Sequence, residues 1–225
     1  MCGRYTRSDT PSDISAWFDV ASTDIPVFAP SFNIAPQSTQ PVIRLNQESG
    51  SREIALMRWG LVPFWSKDTK PSFSTINARA ETVATSATYR EPFKRRRCLV
   101  PANAFYEWQR LDEKHKQPYA IALAGNEPLA FAGVWDSWRD KVTGQFLESY
   151  SILTTEPNEL MAGIHNRMPV ILSPDEYQRW IMHGEHPPSD LMKPYPPEKM
   201  KAWMVGAEVG NVRNNSPELL KPLVN

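Results

Sequence analysis

The stretch that decides the fold is LAFAGVWDSW, residues Leu129–Trp138, together with LESYSILT further along, residues Leu147–Thr154. Both runs are rich in β-branched, aromatic and other apolar residues, a composition typical of β-strands. Working outward, the same pattern predicts strands at Pro41–Leu45, Ile54–Leu61, Cys98–Trp108, Tyr119–Ala124 and Met168–Leu172. The sequence therefore predicts a core made mostly of antiparallel β-strands.

Short helices are expected between and beside these strands. Thr10-Pro11-Ser12-Asp13 has proline in the first turn and an acid near the amino end, and it predicts a helix through about Asp19. Ser173-Pro174-Asp175-Glu176 has the form of a capping box and predicts a helix through about Ile181. The other predicted elements are helices at Pro157–Ala162 and Ala78–Tyr89 and proline-rich turns at His186–Lys201.

This order of elements predicts an α+β fold with a curved, mostly antiparallel β core, of the sandwich or barrel kind, flanked by short helices. The 21 prolines are spread along the chain, which indicates many short elements joined by stiff turns. No repeat, low-complexity segment or linker divides the 225 residues, and 41% of them are hydrophobic. We therefore predict a single domain spanning residues 1–225.

The charge balance excludes some classes of protein. Lys and Arg number 25, and so do Asp and Glu, so a protein that is basic throughout is excluded and any phosphate-binding surface must be local. No apolar run approaches the roughly 18 residues of a membrane span, and Met1–Thr10 lack the apolar core of a signal peptide. Two cysteines cannot form a disulfide framework in a chain of this size, which favours a cytoplasmic location.

Cys2 carries the first indication of chemistry, because it directly follows the initiator methionine. Removal of Met1 would leave an α-amine and a thiol on adjacent carbons, with ordinary pKa values of about 7.7–8.0 and 8.5. Such an aminothiol condenses with an aldehyde to a Schiff base, and the sulfur then closes a five-membered thiazolidine ring. The alternative for Cys2 taken alone is an incidental cysteine at a frayed terminus.

Seven short blocks of sequence follow one another along the chain. They are Cys2-Gly3-Arg4-Tyr5, Asn33-Ile34-Ala35-Pro36, Trp59-Gly60-Leu61-Val62-Pro63, Asn77-Ala78-Arg79-Ala80-Glu81-Thr82, Phe105-Tyr106-Glu107-Trp108, His165-Asn166-Arg167-Met168-Pro169 and Val209-Gly210-Asn211-Val212. In this order, with cysteine after the initiator methionine, they closely resemble the SRAP family of abasic-site processing proteins. The resemblance runs from Cys2 to about Leu219.

The resemblance implies an activity that uses the aminothiol. SRAP proteins capture the ring-opened aldehyde of an abasic site in single-stranded DNA as a thiazolidine with the terminal cysteine. By the same resemblance, Glu107 assists amine deprotonation and ring opening, His165 lies near the sugar oxygen, and Asn77 positions the cysteine end. A carboxyl and an imidazole can exchange the roles of acid and base that this reaction needs.

Each of these three residues also has a purely structural interpretation. Asn77 directly precedes a helix-like run and could be its N-cap. Glu107 shares a strand face with Phe105, so it is buried with a raised pKa if that face points inward, and it is a surface acid if the face is solvated. His165 falls in a loop between a helix and a strand, where a lone histidine is more often structural than catalytic, although loops carry sites disproportionately.

Contact with DNA phosphates is expected from arginines inside the blocks. Arg4, Arg79 and Arg167 each lie within two residues of a proposed catalytic position, and the planar guanidinium group suits phosphate. Lys94-Arg95-Arg96-Arg97 is the one basic run, and we interpret it as a solvated patch before a strand, with an extension of the DNA surface as the alternative.

Contact with the bases is expected from aromatic residues. By the resemblance, Trp65, with Phe64 beside it, matches a region that stacks on or wedges the bases next to the lesion, although the family pattern has two adjacent tryptophans there. Trp59 is interpreted as core, and Pro36, which closes the second block, is assigned to the DNA-binding surface.

No metal or cofactor is predicted. His183 and His186 lie three residues apart, but apart from the terminal Cys2 the only other soft ligand is Cys98, so no zinc pattern emerges. Cys98 is interpreted as a buried structural thiol. Gly-rich phosphate loops, dinucleotide fingerprints and nucleophile elbows are missing from the sequence. The expected partner is single-stranded DNA with abasic sites, bound by a monomer, with a nucleoid-associated pool in a bacterium.

Two other functions stay open at this point. An N-terminal-cysteine peptidase or amidohydrolase would use the same free amine as the base for the thiol and attack an amide instead of an aldehyde. A non-covalent single-strand binding module would leave Cys2 idle. For the favoured prediction, covalent capture of abasic sites, the resemblance implies a lyase-like or peptidase-like enzyme class.

Overall fold

The structure is a computed structural model that describes residues 2–21, 25–69, 74–184 and 186–223. The strands within these ranges are β1 (Arg4–Arg7), β2 (Ser31–Ile34), β3 (Thr39–Leu45), β4 (Arg52–Trp59), β5 (Asn77–Arg79), β6 (Arg97–Ala102), β7 (Ala104–Arg110), β8 (Lys116–Leu123), β9 (Leu129–Arg139), β10 (Phe146–Thr155), β11 (Met168–Pro169), β12 (Ile171–Leu172) and β13 (Met200–Met204). The fold is thus mostly β, as the sequence predicts.

The helices are few and short. The α-helices of the described residues are α1 (Pro11–Trp17), α2 (Arg90–Arg95), α3 (Glu159–Ala162) and α4 (Tyr177–Ile181). Single 3-10 turns occur at Pro174–Glu176, Ser189–Leu191, Pro197–Lys199, Ala207–Gly210 and Pro217–Leu220. Both capping sequences act as predicted: Thr10 and Asp13 form a capping box, and so do Ser173 and Glu176. No helix in the described ranges is long and apolar enough to cross a membrane.

Five strands form an antiparallel sheet in the order β13-β8-β7-β1-β2. β1 lies inside this sheet, between β7 and β2, and Arg4 faces Tyr106 across the pairing with β7. The short strand that follows Cys2 is therefore hydrogen-bonded on both sides, which fixes the position of the chain's amino end.

The remaining strands form a second sheet that curls into a partial ring. Around it, β10 pairs with β4, β4 with β3, β3 with β6, β6 with β9, and β9 again with β10. The pairings of β10 with β4 and β5 are parallel, and the others are antiparallel. A curved, mostly antiparallel β core with short flanking helices is thereby confirmed.

Aromatic side chains connect the two sheets through the main core. The ring of Tyr5 meets those of Trp59 and Phe131 edge to face, at centroid distances of 5.2 and 5.8 Å. The hydroxyl of Tyr5 lies 2.7 Å from that of Tyr150, so the two buried hydroxyl groups satisfy each other. Through Tyr5, β1 is anchored to the ring-like sheet as well as to its own neighbours.

One predicted helix, Ala78–Tyr89, is wrong. Asn77–Arg79 form β5, which pairs in parallel with β10, and turns follow until α2 begins at Arg90. The alanines of this segment favour a helix, but helix propensity is a weak preference that tertiary packing overrides. Here the pairing with β10 satisfies the backbone and buries Ala78 completely.

The single strand predicted at Cys98–Trp108 is also wrong, because it is two strands in different sheets. β6 belongs to the ring and β7 to the five-stranded sheet. The chain turns between them at Asn103, whose amide side chain accepts from Ser8 N–H at 2.6 Å and donates to Asp9 at 2.9 Å. Both strands are largely buried on both faces, so their sequence shows no alternation that would reveal the break.

The basic run before β6 is not a solvated patch throughout. Arg97 is buried and donates to the carbonyls of Phe93 and Trp180 at 2.7 and 2.6 Å. Arg96 forms an ion pair at 3.1 Å with the buried carboxylate of Asp136. The solvated interpretation is therefore wrong for half of the run and holds for the remainder, Lys94 and Arg95, both of which are exposed.

Candidate active site and nucleic-acid interface

Cys2, on which the predicted chemistry depends, lies two residues before the start of β1. Its side chain is completely buried and belongs to the core cluster that contains Tyr5 and Trp59. Burial raises the pKa of the thiol well above its usual range, and the nearby carboxyl of Glu107 raises it further. Because the thiolate is the nucleophilic form, a thiol held neutral in this way needs a base within the site.

Asn77 is in direct contact with Cys2. Its side-chain Nδ2 donates to the carbonyl oxygen of Cys2 at 2.9 Å. Since Asn77 lies in β5 and no helix follows it, its interpretation as an N-cap is wrong. The side-chain Oδ1 is buried and accepts no hydrogen bond from the described residues. The amide therefore fixes the backbone of Cys2 and keeps an acceptor oxygen at the site.

Glu107 lies on β7, next to the strand that follows Cys2. Since Arg4 faces Tyr106 in this antiparallel pairing, Glu107 falls beside Gly3. The face it shares with Phe105 points inward, and only 3% of Glu107 is exposed. Burial is the main cause of the raised pKa of Glu107, and the neighbouring His165 opposes that shift. The carboxyl group therefore keeps its proton to a higher pH than a solvated glutamate does.

His165 lies in the loop between α3 and β11, as the sequence predicts. The loop fixes it twice: its backbone N–H donates to the carbonyl of Met161 at 2.8 Å, and its Nδ1 accepts from the backbone N–H of Arg167 at 3.0 Å. The same Nδ1 lies 3.2 Å from the carbonyl oxygen of Arg167, so the backbone of Arg167 holds this edge of the ring in place. The half-buried ring is close enough to Glu107 to influence its charge.

Four residues from distant parts of the sequence thus come together. A hydrogen bond joins Asn77 to Cys2, and electrostatic interactions join Glu107 to Cys2 and to His165. The cluster contains a nucleophile, a carboxyl group with a raised pKa, and an imidazole, which are the groups that acid–base-assisted attack on a carbonyl carbon requires.

The three arginines of the sequence prediction have different surroundings. Arg4 donates from Nη1 to Asn33 Oδ1 at 2.7 Å and to the carbonyl of Val209 at 2.8 Å, and from Nη2 to the carbonyl of Gly210 at 3.2 Å. It thereby fastens the loop around residue 210 to the five-stranded sheet. A phosphate contact by Arg4 would therefore have to coexist with these three bonds or replace some of them.

Arg167 and Arg79 differ in exposure. The guanidinium of Arg167 forms a bidentate ion pair with Glu81, with N···O distances of 2.5 and 2.9 Å, and it also donates to the carbonyl of Thr154 at 2.6 Å. Its side chain is only 13% exposed. Arg79 is exposed at the end of β5, so among the three arginines it is the one that most readily meets solvent phosphate.

The aromatic residues of the prediction fall into a buried and an exposed group, as the sequence predicts. Trp59 is buried, and its indole N–H donates to the carbonyl of Ile76 at 2.9 Å, which confirms its assignment to the core. Phe64 and Trp65 are 57% and 52% exposed. Pro36 lies in the turn before β3, where the next residue, Gln37, donates from its backbone to the carbonyl of Trp59 at 2.8 Å. The turn of Pro36 and the exposed aromatic pair therefore flank the same end of β4.

Two residues with clear roles at the site are missing from the sequence prediction. Glu81 is the partner of Arg167, and Asn33 accepts from Arg4 while its amide group donates to the carbonyls of Val209, Asn211 and Asn214. Both lie inside the seven sequence blocks, so membership of a block is the feature of the sequence that could have identified them. Across the described ranges, no three His, Cys, Asp or Glu side chains are grouped so that they could hold a metal ion.

The fold and this cluster define a class of protein: a β-rich chain with a buried cysteine, an acid, an amide and an imidazole gathered around the start of a central strand. The chain belongs to the SRAP family, because the family model described as SOS response associated peptidase matches residues 1–212.

Relatives and solved structures agree with this membership. The chain is 38% identical over 226 residues to the abasic site processing protein YoqW of Bacillus subtilis, covering 98% of this chain and 99% of that protein. It is 33% identical to the abasic site processing protein HMCES of Xenopus tropicalis, over 100% of this chain and 79% of that protein. A crystal structure of a protein from Bacteroides thetaiotaomicron superposes with a TM-score of 0.84 at 27% identity, over 99% of this chain and 100% of that one.

Proposed function

We propose that this protein binds single-stranded DNA and captures abasic sites covalently, as a thiazolidine between Cys2 and the ring-opened sugar. The observation that carries the proposal is the meeting of Cys2 with Asn77, Glu107 and His165 in one cluster. The names of the relatives, abasic site processing proteins, supply the substrate class.

The first step is the opening of the sugar. An abasic site is a hemiacetal, and its ring oxygen must take up a proton as the ring opens to the aldehyde at C1′. A neutral carboxyl group can supply that proton, and the raised pKa of Glu107 favours this form more than the pKa of a solvated glutamate would. The imidazole of His165, oriented through Nδ1, is a second donor beside it.

The second step forms two bonds to the same carbon. With Met1 removed, the α-amine of Cys2 adds to C1′, the resulting carbinolamine loses one water, and a Schiff base forms. The sulfur then adds to C1′ while the thiol proton passes through Glu107 to the nitrogen. Aldehyde and aminothiol together give thiazolidine and one water, so no oxidant or cofactor is needed. The bond from Asn77 to the carbonyl of Cys2 keeps the amine and thiol facing one point.

The exposed residues nearby provide the contact with the strand. Phe64 and Trp65 offer aromatic faces, and stacking of one base on such a face is worth about 1–3 kcal/mol regardless of base identity. Arg79 is placed at the end of β5, two residues from Asn77, where it can meet a phosphate beside the lesion. Pro36 lies in the turn that is hydrogen-bonded to the end of β4, through the bond from Gln37 to Trp59.

A peptidase or amidohydrolase is the second candidate, since the family description contains the word peptidase and the same buried thiol would attack an amide. Intact-mass spectrometry distinguishes the candidates. The protein without Met1 is mixed with an oligonucleotide that carries one abasic site, and separately with a peptide library. We expect a product with the summed mass of protein and oligonucleotide minus one water.

The variants make this test specific. Cys2→Ala should give no adduct, whereas Cys98→Ala, which removes the other buried thiol, should react as the parent does. Peptide turnover without an adduct would favour the peptidase. Salt-sensitive binding without an adduct would favour a non-covalent binding module. Robust adduct formation by a preparation that retains Met1 would refute the thiazolidine mechanism, because an acylated nitrogen forms no Schiff base.

A further inference from the structure

The segment Val62–Ser66 leaves the ring-like sheet and presents Phe64 and Trp65 to solvent. It begins after Gly60, whose φ of +117° is a conformation that side-chain-bearing residues rarely adopt. Two exposed large aromatic side chains next to each other do not stay in place through their own packing. Buried groups beneath the segment must therefore fix its backbone.

Three hydrogen bonds to the β9–β10 hairpin do this. The N–H of Val62 donates to Ser149 Oγ at 2.8 Å, and the N–H of Phe64 donates to Asp136 Oδ2 at 3.0 Å. The indole N–H of Trp138 donates to the carbonyl of Ser66 at 2.9 Å. Ser149 faces Asp136 across the hairpin, and Trp138 follows two residues later, so the three side chains project from one face of it.

Asp136 is the charged member of this group, and it is only 2% exposed. Its Oδ1 accepts from the N–H of Ser137 at 2.8 Å and pairs with Arg96 Nη2 at 3.1 Å, while Oδ2 accepts from the N–H of Phe64. A buried carboxylate needs such partners, since an unpaired buried charge is strongly destabilising. The third residue of the basic run thus serves as the counterion of the acid beneath the aromatic segment.

We propose that Asp136, held in place by Arg96, is a positioning residue that fixes Phe64 and Trp65 in the orientation in which they contact bases. This inference rests on the proposed function, because it concerns the DNA contact of that same site. A preorganised segment loses less conformational freedom on binding, so removal of its acceptor weakens binding without removing any group that touches DNA.

Equilibrium binding of an ordinary single-stranded oligonucleotide tests the proposal, since no adduct can form. We expect Trp65→Ala to weaken binding roughly tenfold and Asp136→Ala to weaken it comparably. The loss in the double variant should be smaller than the product of the two single losses, because both changes act on the contact of Trp65, whereas independent structural damage would multiply the two effects. Glu148→Gln is the matched control, because it removes an ion-paired acid of β10 that contacts Arg44 and not the aromatic segment.

Hydrogen exchange gives a readout that does not depend on DNA. In Asp136→Ala the backbone amides of Val62, Phe64, Trp65 and Ser66 should exchange faster, while those of β9 and β10 away from Asp136 stay unchanged. If that variant does not fold, Asp136→Asn, which keeps the size but loses the charge that Arg96 needs, should show the same two changes to a smaller extent.

The outcomes separate the two proposals. Normal binding and normal exchange in the folded Asp136 variants, with weakened binding by Trp65→Ala, would overturn the positioning role and leave the DNA contact standing. Normal binding by Trp65→Ala would overturn the base contact and the positioning role together. Effects of Asp136→Ala and Trp65→Ala that multiply in the double variant would also overturn the positioning role.

Discussion

The Cys2 cluster and the aromatic segment are built in opposite ways. Around Cys2 the thiol and the carboxyl group of Glu107 are buried, and the backbone of Cys2 is held by the amide of Asn77. In the segment around Trp65 the working side chains are exposed, and buried polar groups such as Asp136 hold the backbone from below. Burial suits groups that move protons because it shifts their pKa values, whereas a contact surface needs exposed faces on a fixed backbone.

The largest effect is expected from the carboxyl group of the buried cluster. Glu107→Gln should slow adduct formation in single-turnover experiments by roughly 10²–10⁴-fold, the range for a general acid–base group. The amide keeps the size of the side chain but cannot transfer the proton. Glu53→Gln, which alters an acid paired with Arg44 on the other sheet, is the control and should react at the parental rate.

His165→Ala should produce a loss in the same range of roughly 10²–10⁴-fold. If the imidazole and Glu107 serve one proton path, the loss in the double variant should be smaller than the product of the two single losses. Rates near the parental value in both single variants would remove these residues from the mechanism, and the buried cluster would then be a structural feature like the hairpin beneath Trp65.

The pH dependence of stability tests the burial of Glu107 directly. Because its pKa is raised in the folded protein, the native state binds more protons than the unfolded state between the unfolded and folded pKa values. Stability therefore falls as the pH rises through that window. Glu107→Gln should raise the melting temperature at neutral pH, and the gain should vanish at a pH below the unfolded pKa. An equal gain at both pH values would contradict a buried, titrating carboxyl group.

The two regions also differ in how much the sequence predicts. The blocks name Cys2, Asn77, Glu107 and His165, and the chemistry of an aminothiol follows from residue types alone. The sequence could not place Asn77 correctly, because alanine-rich composition favours a helix locally while the pairing of β5 with β10 is a contact between distant residues.

The support beneath the aromatic segment was not predictable for the same reason. The bond from Phe64 to Asp136 joins residues 72 positions apart, and the position of Asp136 within an apolar strand carries no sequence signal of a role. Arg4 is a similar case, since its partner Val209 is 205 residues away. Interactions of this kind depend on sheet topology, which local pattern does not specify.

A smaller effect is expected from Arg4→Ala, and it tests whether Arg4 stabilises the fold in addition to any contact with DNA. Arg4→Ala should lower the free energy of unfolding by about 1–3 kcal/mol, because the carbonyls of Val209 and Gly210 and the Oδ1 of Asn33 lose a charged donor. Chemical denaturation measures this change. The matched control is Arg79→Ala, an exposed arginine whose loss should change stability by less than about 0.5 kcal/mol. Equal stability of the two variants would show that the contacts of Arg4 contribute nothing net.

The smallest expected effect concerns the salt dependence of DNA binding. For single strands, log K falls with log salt concentration by roughly 0.7 for each neutralised phosphate. Because Arg79 is exposed while the guanidinium groups of Arg4 and Arg167 bond to the protein itself, we expect Arg79→Ala to reduce the slope by about 0.7. The measurement is equilibrium binding of a non-abasic oligonucleotide across a salt series.

Two results would move the phosphate contacts elsewhere. If Arg4→Ala and Arg167→Ala, at salt concentrations where both remain folded, each reduce the slope as much as Arg79→Ala does, these guanidinium groups exchange protein partners for phosphate on binding. If all three variants keep the parental slope, the strand follows another path. Lys94 and Arg95 are then the next residues to change, since they are exposed while Arg96 and Arg97 bond to Asp136 and to main-chain carbonyls. A slope reduced by Lys94→Ala but not by Arg79→Ala would place the bound DNA strand beside α2, which carries Lys94, and not beside Arg79.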